Sequence, residues 1–253
     1  MDERTTGALL GMIAGDAYLN VRKRLQSGKY PYVSSEMRIL HGSQQRPYCE
    51  FKCALVNKML GTQASVTAVK NGPGGLYRAY QFSVSNPYFK ILKGWTYTDG
   101  KKQYNEVWLN HLTPEGIAFW YMDDGHARRN VNSNGRVSSV STNIATCCSW
   151  EEAELITRWF NDQHKIKFSA FPEGKGYSLR ANTESSRLFF HLVQRFVIES
   201  MRYKLAHVAD LYSLECRAPV AKCAQCNGPI FANRRGGLCD ACYSRRYYRE
   251  HRG

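Results

Sequence analysis

The chain has 253 residues, 43% of them hydrophobic, which is enough for one large or two ordinary domains and excludes wholesale disorder. Lysine and arginine number 35 against 21 acids, a net charge of +14 that favours a polyanion as partner. No apolar run approaches the ~20 residues of a membrane span and Met1-Asp2-Glu3-Arg4 has no signal-peptide pattern, so a soluble intracellular protein without a membrane partner is expected.

In chain order, the first element reads as a helix carrying the apolar run 9–17, which ends on Asp16 and Ala17. Thr5 or Thr6 is placed to cap it, with Asp2 and Glu3 near its positive end. Gly7, Gly11 and Gly15 keep one face bare, and because a helical Gly costs ~1 kcal/mol relative to Ala, their number predicts close approach of another backbone. Residues 18–24 and 32–41 are rich in β-formers and basic side chains. An amphipathic helix is expected over 45–60, with Phe51, Leu55, Val56, Met59 and Leu60 on its inner side. Residues 63–71 and 76–85 form a hairpin across Gly72-Pro73-Gly74-Gly75, and a helix follows to about Gly94.

The same order then recurs. Thr113-Pro114 is an N-cap with proline at the first helical position, opening a second apolar helix that ends at Asp123-Asp124-Gly125. Strands are expected over 126–131 and 136–143, and Ser149-Trp150-Glu151-Glu152 is a capping box for a helix reaching Asp162. Residues 166–172 and 177–182 pair across Glu173-Gly174-Lys175-Gly176, and Thr183 or Ser185 opens a helix to about Ser200. This is one internal duplication of an α-β-β-α-β-β-α unit, with halves at 1–94 and 113–215 joined by a linker at 95–112.

Counted from Leu9 and Ile117, Asp16 and Asp124 hold the same place, each at the end of an apolar run. Taken singly, Asp124-Gly125 reads as a turn; taken with Asp16, the two acids read as a site. "LLGMIAGDA" and "LTPEGIAFWYMDDG" resemble the two signatures of single-chain LAGLIDADG homing endonucleases, and the likeness extends through "FSVSNPYFKIL", "GKK" and "MRYKL", from about Leu9 to Leu205. The resemblance implies an α+β fold in which two pseudo-symmetric halves form a β-saddle on DNA. It also implies that Asp16 and Asp124, helped by the backbone carbonyls of Gly15 and Asp123, bind catalytic Mg²⁺ or Mn²⁺. Carboxylates suit such ions, which activate water and clamp the attacking and leaving oxygens. One lysine per half is implied near the metals, at Lys102, with Lys101 as its alternative, and at Lys204.

Alternate residues on one face of a β-ribbon reach base edges in the major groove, so Arg22, Arg24, Arg38, Lys70, Arg78, Arg128, Arg136, Lys167 and Arg180 are candidate DNA contacts. Residues 216–253 form a second module. Cys223-Ala-Gln-Cys226 and Cys239-Asp-Ala-Cys242 have the spacing of a four-thiolate structural Zn²⁺ site, leaving Cys49, Cys53, Cys147, Cys148 and Cys216 as ordinary thiols. Arg234, Arg235, Arg245 and Arg246, set among Tyr243, Tyr247 and Tyr248, suit phosphate contact beside this zinc finger.

The reading is a monomeric, metal-dependent endodeoxyribonuclease that breaks both strands of a long, roughly pseudo-symmetric double-stranded target and so promotes intron or gene mobility. The resemblance places it in the cytoplasm of a bacterial or phage-infected host, or in an organelle. The alternatives are an RNA-binding maturase, with intron RNA as partner, and a non-cleaving DNA-binding regulator. An intein is not expected, because the chain begins with Met1 rather than Cys or Ser and flanking splicing blocks are not found.

Overall fold

The structure, a computed structural model, describes residues 1–24, 32–71, 77–213, 221–225, 229–230, 238, 242 and 246. The chain divides into two compact units, Met1–Tyr212 and Ser213–Gly253.

Two central helices organise the first unit. Helix α1 (Glu3–Ala14) is capped by Asp2 rather than by Thr5 or Thr6, with the Thr5 N–H donating to Asp2 Oδ1 at 2.8 Å. Both threonines lie inside the helix and are buried, so neither is free to cap it. Helix α5 (Pro114–Asp124) starts as its sequence predicts: the Thr113 hydroxyl accepts the Gly116 N–H, with Pro114 in the first turn. Every residue from Thr5 to Ala14 and from Glu115 to Met122 is buried, which matches helices that are apolar on every face apart from Thr5, Thr6 and Glu115 in their first turns. They pack backbone to backbone: a Cβ on Gly11 would stand 1.9 Å from the Gly116 carbonyl oxygen.

Four antiparallel strands follow α1: β1 (Tyr18–Arg24), β2 (Tyr32–Gly42), β3 (Thr67–Asn71) and β4 (Tyr77–Ser85), in the order β1-β2-β4-β3. Four more follow α5 in the corresponding order: β7 (Gly125–Val131), β8 (Val137–Cys148), β9 (Phe168–Glu173) and β10 (Gly176–Ala181), ordered β7-β8-β10-β9. Helices α2 (Arg46–Leu60) and α6 (Trp150–His164) each connect a middle strand, β2 or β8, to an edge strand, β3 or β9, and α3 (Tyr88–Thr96) and α7 (Thr183–Val193) close each set. The capping box of α6 forms between Ser149 and Glu152. Alternation sets the faces: Met37, Ile39, Phe82 and Val84 are buried towards the helices while Arg38 and Ser83, which pair across β2 and β4, are outside.

Two further expectations need correction. The buried side of α2 is Tyr48, Cys49, Lys52, Cys53 and Val56, whereas Phe51 is exposed and Leu55, Met59 and Leu60 are only partly covered. These four large apolar residues lie off the buried side of the helix, where Lys52 takes a place that hydrophobic spacing does not mark. Helix α7 ends at Val193 rather than near Ser200, and 3₁₀ turns at Gln194–Phe196 and Glu199–Leu205 carry the chain onward. Residues 95–112, which link the two sets of strands, are also packed against the central helices. They hold β5 (Tyr97–Thr98), β6 (Lys101–Lys102) and α4 (Glu106–Asn110), and the buried Trp108 donates its indole N–H to the Leu10 carbonyl. Tyr104 stacks on Trp108 and Trp120, with ring centroids 4.5 and 5.3 Å away. The turn 72–75 lies outside the described residues; its counterpart at Gly174 has φ +59°, which glycine adopts without strain.

In the second unit β11 (Ala221–Lys222) pairs with β12 (Pro229–Ile230), and Cys223, Leu238 and Cys242 form a buried cluster. Cys226, Cys239, Arg234, Arg235 and Arg245 lie outside the described residues, and Arg246 is exposed.

Candidate active site

The C-terminal ends of α1 and α5 abut, and the space between them admits one acidic side chain. A Cβ on Gly15 would stand 2.2 Å from Asp123 Oδ2, so Gly15 is bare because Asp123 occupies that place. The Asp123 carboxylate is fully buried. Both its oxygens accept from Lys52 Nζ, at 2.6 and 2.8 Å, and Oδ2 also accepts the backbone N–H of Asp16 at 3.1 Å. Lys52, likewise fully buried, lies 3.3 Å from His41 Nε2 and over the Tyr48 ring. An ammonium has no lone pair to accept with, so Nε2 is the acceptor and the proton of a neutral His41 ring sits on Nδ1. That nitrogen lies 3.2 Å from Asp16 Oδ2, close enough for attraction though off the line of a good hydrogen bond. Sequence reasoning missed Lys52 and His41. The available signal was a lysine in helical step with Cys49, Cys53 and Val56.

Next to this buried group stand the two matched acids. The Asp16 side chain is 40% exposed. Burial raises its carboxyl, but His41, Lys52 and Lys102 outweigh that and hold it below its ordinary value. Asp124 behaves in the opposite way: burial, then the charges of Asp16 and Asp123, push its carboxyl up to about 7 against the pull of Lys102 and Lys204. Its carboxylate accepts no hydrogen bond among the described residues.

Lys102 and Lys204 reach the same two helix ends. Lys102 Nζ donates to the Gly15 carbonyl at 2.8 Å; Lys204 Nζ donates to the Gly125 carbonyl at 2.6 Å and the Asp123 carbonyl at 3.4 Å. Burial lowers both ammonium pKa values although the acids around them act the other way. Lys101, on the alternate side of β6, is exposed and takes no part in this group. Asp16, Asp124, Lys102 and Lys204 are thus brought together with the Gly15 and Asp123 backbones.

Two arrangements for a cation present themselves. Asp16, His41 and Asp123 offer ligand atoms within 4.8 Å of one another. The Lys52 ammonium already fills the role of a cation there, bonding both Asp123 oxygens and facing His41. Asp16 with Asp124 is the alternative pair: one carboxylate 40% exposed, and a second carboxyl pushed up by burial and by the charges of Asp16 and Asp123. Hard oxygen donors of this kind fit Mg²⁺ or Mn²⁺.

The candidate DNA contacts separate by strand parity. Arg38, exposed and ion-paired with Glu36, lies on the sheet face away from the helices. Lys70 and Arg78 pair with each other across β3 and β4 and, though exposed, share the register face of Phe82, opposite to Arg38. In the second sheet Arg128 and Arg180 share the outer face with His126 and Asn143. Arg180 Nε donates to Asn143 Oδ1 at 3.1 Å and its guanidinium lies 4.3 Å from the Phe171 ring centre, while Asn143 Nδ2 meets His126 Nε2 at 2.9 Å. Arg136 is exposed in the β7–β8 turn and Lys167 is exposed just before β9. Arg22 and Arg24 lie on β1, paired with Ser34 and Tyr32, with side chains outside those described.

Comparison with known proteins finds similarity in both sequence and fold. RecA of Mycobacterium shimoidei is 28% identical over 204 residues, covering 78% of this chain, which spans only 45% of that relative's length. Cytochrome b mRNA maturase bI2 of Saccharomyces cerevisiae is 24% identical over 163 residues, covering 63% of this chain and 36% of the maturase. The solved structure of the homing endonuclease I-WcaI bound to its DNA recognition sequence superposes with a TM-score of 0.61 at 19% identity, covering 81% of this chain and 86% of the other, and so shows the fold. The family model for LAGLIDADG DNA endonucleases matches residues 6–189, and the chain belongs to that family.

Proposed function

We propose that the chain is a site-specific DNA endonuclease that hydrolyses both strands of a long double-stranded target, using a divalent cation held by Asp16 and Asp124. One observation carries this reading: at abutting helix ends the Asp124 carboxyl is driven up to about 7 beside Asp16, an electrostatic state that a hard cation relieves. When bound, Mg²⁺ or Mn²⁺ supplies an activated water and neutralises charge on the phosphate and the leaving oxygen. Lys102 and Lys204 place ammonium groups at the same helix ends, where they favour the extra negative charge of a five-coordinate phosphate. Asp123, neutralised by Lys52, is not a side-chain ligand, and the Gly15 and Asp123 carbonyls accept from the lysines.

The outer sheet faces, with Arg38 on one and Arg128 and Arg180 on the other, are the DNA surface in this reading, and the charge of +14 supports a polyanionic partner. Both acids belong to one chain, which favours a monomer acting on a target of two related halves. The four thiolates Cys223, Cys226, Cys239 and Cys242 would hold Zn²⁺ in the tail, with Arg234, Arg235, Arg245 and Arg246 towards phosphate; the burial of Cys223 with Cys242 supports this. Cleavage of this kind promotes intron or gene mobility. The similarity to a maturase keeps intron RNA as a second reading, in which the same basic faces take RNA.

The test is selection of cut molecules from a large DNA pool in Mg²⁺. Recovery of one long sequence family, cut in both strands, supports the proposal. Tight intron-RNA binding with no cut DNA would favour the second reading.

A further inference from the structure

The group formed by Lys52, Asp123, His41 and Tyr48 is not explained by core stability. Taking two charges out of water costs several kcal/mol per ion, and well-packed apolar residues in place of a buried pair are often neutral or stabilising. Here both partners are at 0% side-chain exposure. What the pair does touch is Asp16, and it does so twice. Through Asp123 Oδ2 it fixes the Asp16 backbone N–H, and through His41 it faces Asp16 Oδ2. Among the described residues Asp124 has no such support: the residue before Asp16, which corresponds to Asp123 before Asp124, is Gly15 and carries no side chain.

We infer that Lys52 is the positioning residue of Asp16, acting through Asp123 and His41, and that the two cation-binding acids are held by unequal means. The inference rests on the reading of Asp16 as a ligand. Lys52 orders the Asp123 carboxylate, which holds the backbone turn that carries Asp16, and it contacts His41, whose ring stands 3.2 Å from Asp16 Oδ2 and limits where that carboxylate can lie. Partners behind a metal ligand act by orienting it, and their loss typically costs about 10- to 100-fold in metal affinity or activity.

Three variants separate positioning from charge compensation: Lys52→Met, Lys52→Met with Asp123→Asn, and His41→Gln. Each is measured by thermal melting, DNA affinity in Ca²⁺, calorimetric Mg²⁺ binding to the DNA-free protein, and single-turnover cleavage. Lys52→Met leaves a buried unpaired carboxylate and is expected to melt early. The double variant removes that charge and is expected to regain melting temperature and DNA affinity. Its Mg²⁺ affinity and single-turnover rate are expected to stay at least about tenfold below wild type. His41→Gln, which keeps the Lys52–Asp123 pair, is expected to shift Mg²⁺ binding the same way. Wild-type Mg²⁺ affinity and rate in the double variant would overturn the inference and leave Lys52 a mere counter-charge. Should that variant not fold, unchanged Mg²⁺ binding in His41→Gln overturns it instead. A wild-type protein that neither binds Mg²⁺ nor cuts DNA removes the reading of Asp16 itself, a different failure from equal behaviour of active variants.

Discussion

Without divalent cations the protein is expected to lose stability as pH rises from 5 to 8, and Asp124 is the cause. Its carboxyl moves from the ordinary 3.8 to about 7 in the fold. A raised value means that the folded state favours the protonated form. The stabilisation is therefore complete below about pH 4 and lost as pH rises through about 7. The whole shift corresponds to about 4 kcal/mol, of which about 2.5 kcal/mol falls between pH 5 and 8. At ~2–4 °C per kcal/mol for a domain of this size, the melting temperature drops by about 5–10 °C. Asp16 does not contribute in that window: its carboxyl is held below 3.8, so its stabilisation is present above about pH 4 and lost only in acid. His126 and His164, both lowered by burial, work the other way by losing stability as pH falls below their ordinary value. Calorimetric melting in EDTA at pH 5, 6.5 and 8 is compared with Asp124→Asn, which removes the acid and leaves the histidines. The variant is expected to lack the alkaline decline, and Mg²⁺ is expected to raise the wild-type melting temperature more at pH 8 than at pH 5. An equal pH slope in both proteins would refute the argument.

Gly11→Ala is expected to destabilise by more than ~3 kcal/mol, beyond the usual cost of overpacking, because the new methyl meets the Gly116 backbone, which cannot yield. Gly94→Ala, in a helix with nothing near its Cβ position, is expected to stabilise by ~0.5–1 kcal/mol; matched melting curves give both signs. Lys102→Ala and Lys204→Ala are expected to slow single-turnover cleavage while leaving DNA affinity in Ca²⁺ within about twofold; unchanged rates in both would withdraw their role. The purified chain is expected to carry one zinc per molecule. Removing residues 221–253 is expected to leave Met1–Tyr212 folded, to shorten the DNA footprint at one end, and to reduce the salt slope by ~0.9 per lost phosphate contact. Cys239→Ser is expected to mimic that deletion, and an unchanged footprint and slope would show that the tail does not touch DNA.

The duplicated helix–strand order was legible because its signals are local. Thr113-Pro114 and the Ser149–Glu152 box specify helix starts through backbone donors a few residues away, and both form. The glycines of α1 announced a close helix contact, since only a bare face admits the Gly116 carbonyl. Asp16 and Asp124 stood out because each ends an apolar run at the same place in its repeat, a signal that lies within a few residues of each acid. What escaped was long-range. Lys52 looks like a surface lysine until Asp123, 71 residues away, supplies its counter-charge. Asp2 takes the cap that Thr5 or Thr6 was expected to provide, because both threonines are drawn into the core. Strand parity divides Arg38 from Lys70 and Arg78, and that division follows from register, which turn sequences alone do not specify.

The most direct measurement of the central claim is cleavage of the selected target by Asp16→Asn and Asp124→Asn, with DNA binding measured in Ca²⁺. Each substitution keeps the side-chain shape and removes the charge that holds the cation. The expected result is retained binding with no cleavage of either strand in Mg²⁺. Full cleavage of both strands by either variant would contradict the assignment of Asp16 and Asp124 as the shared cation ligands.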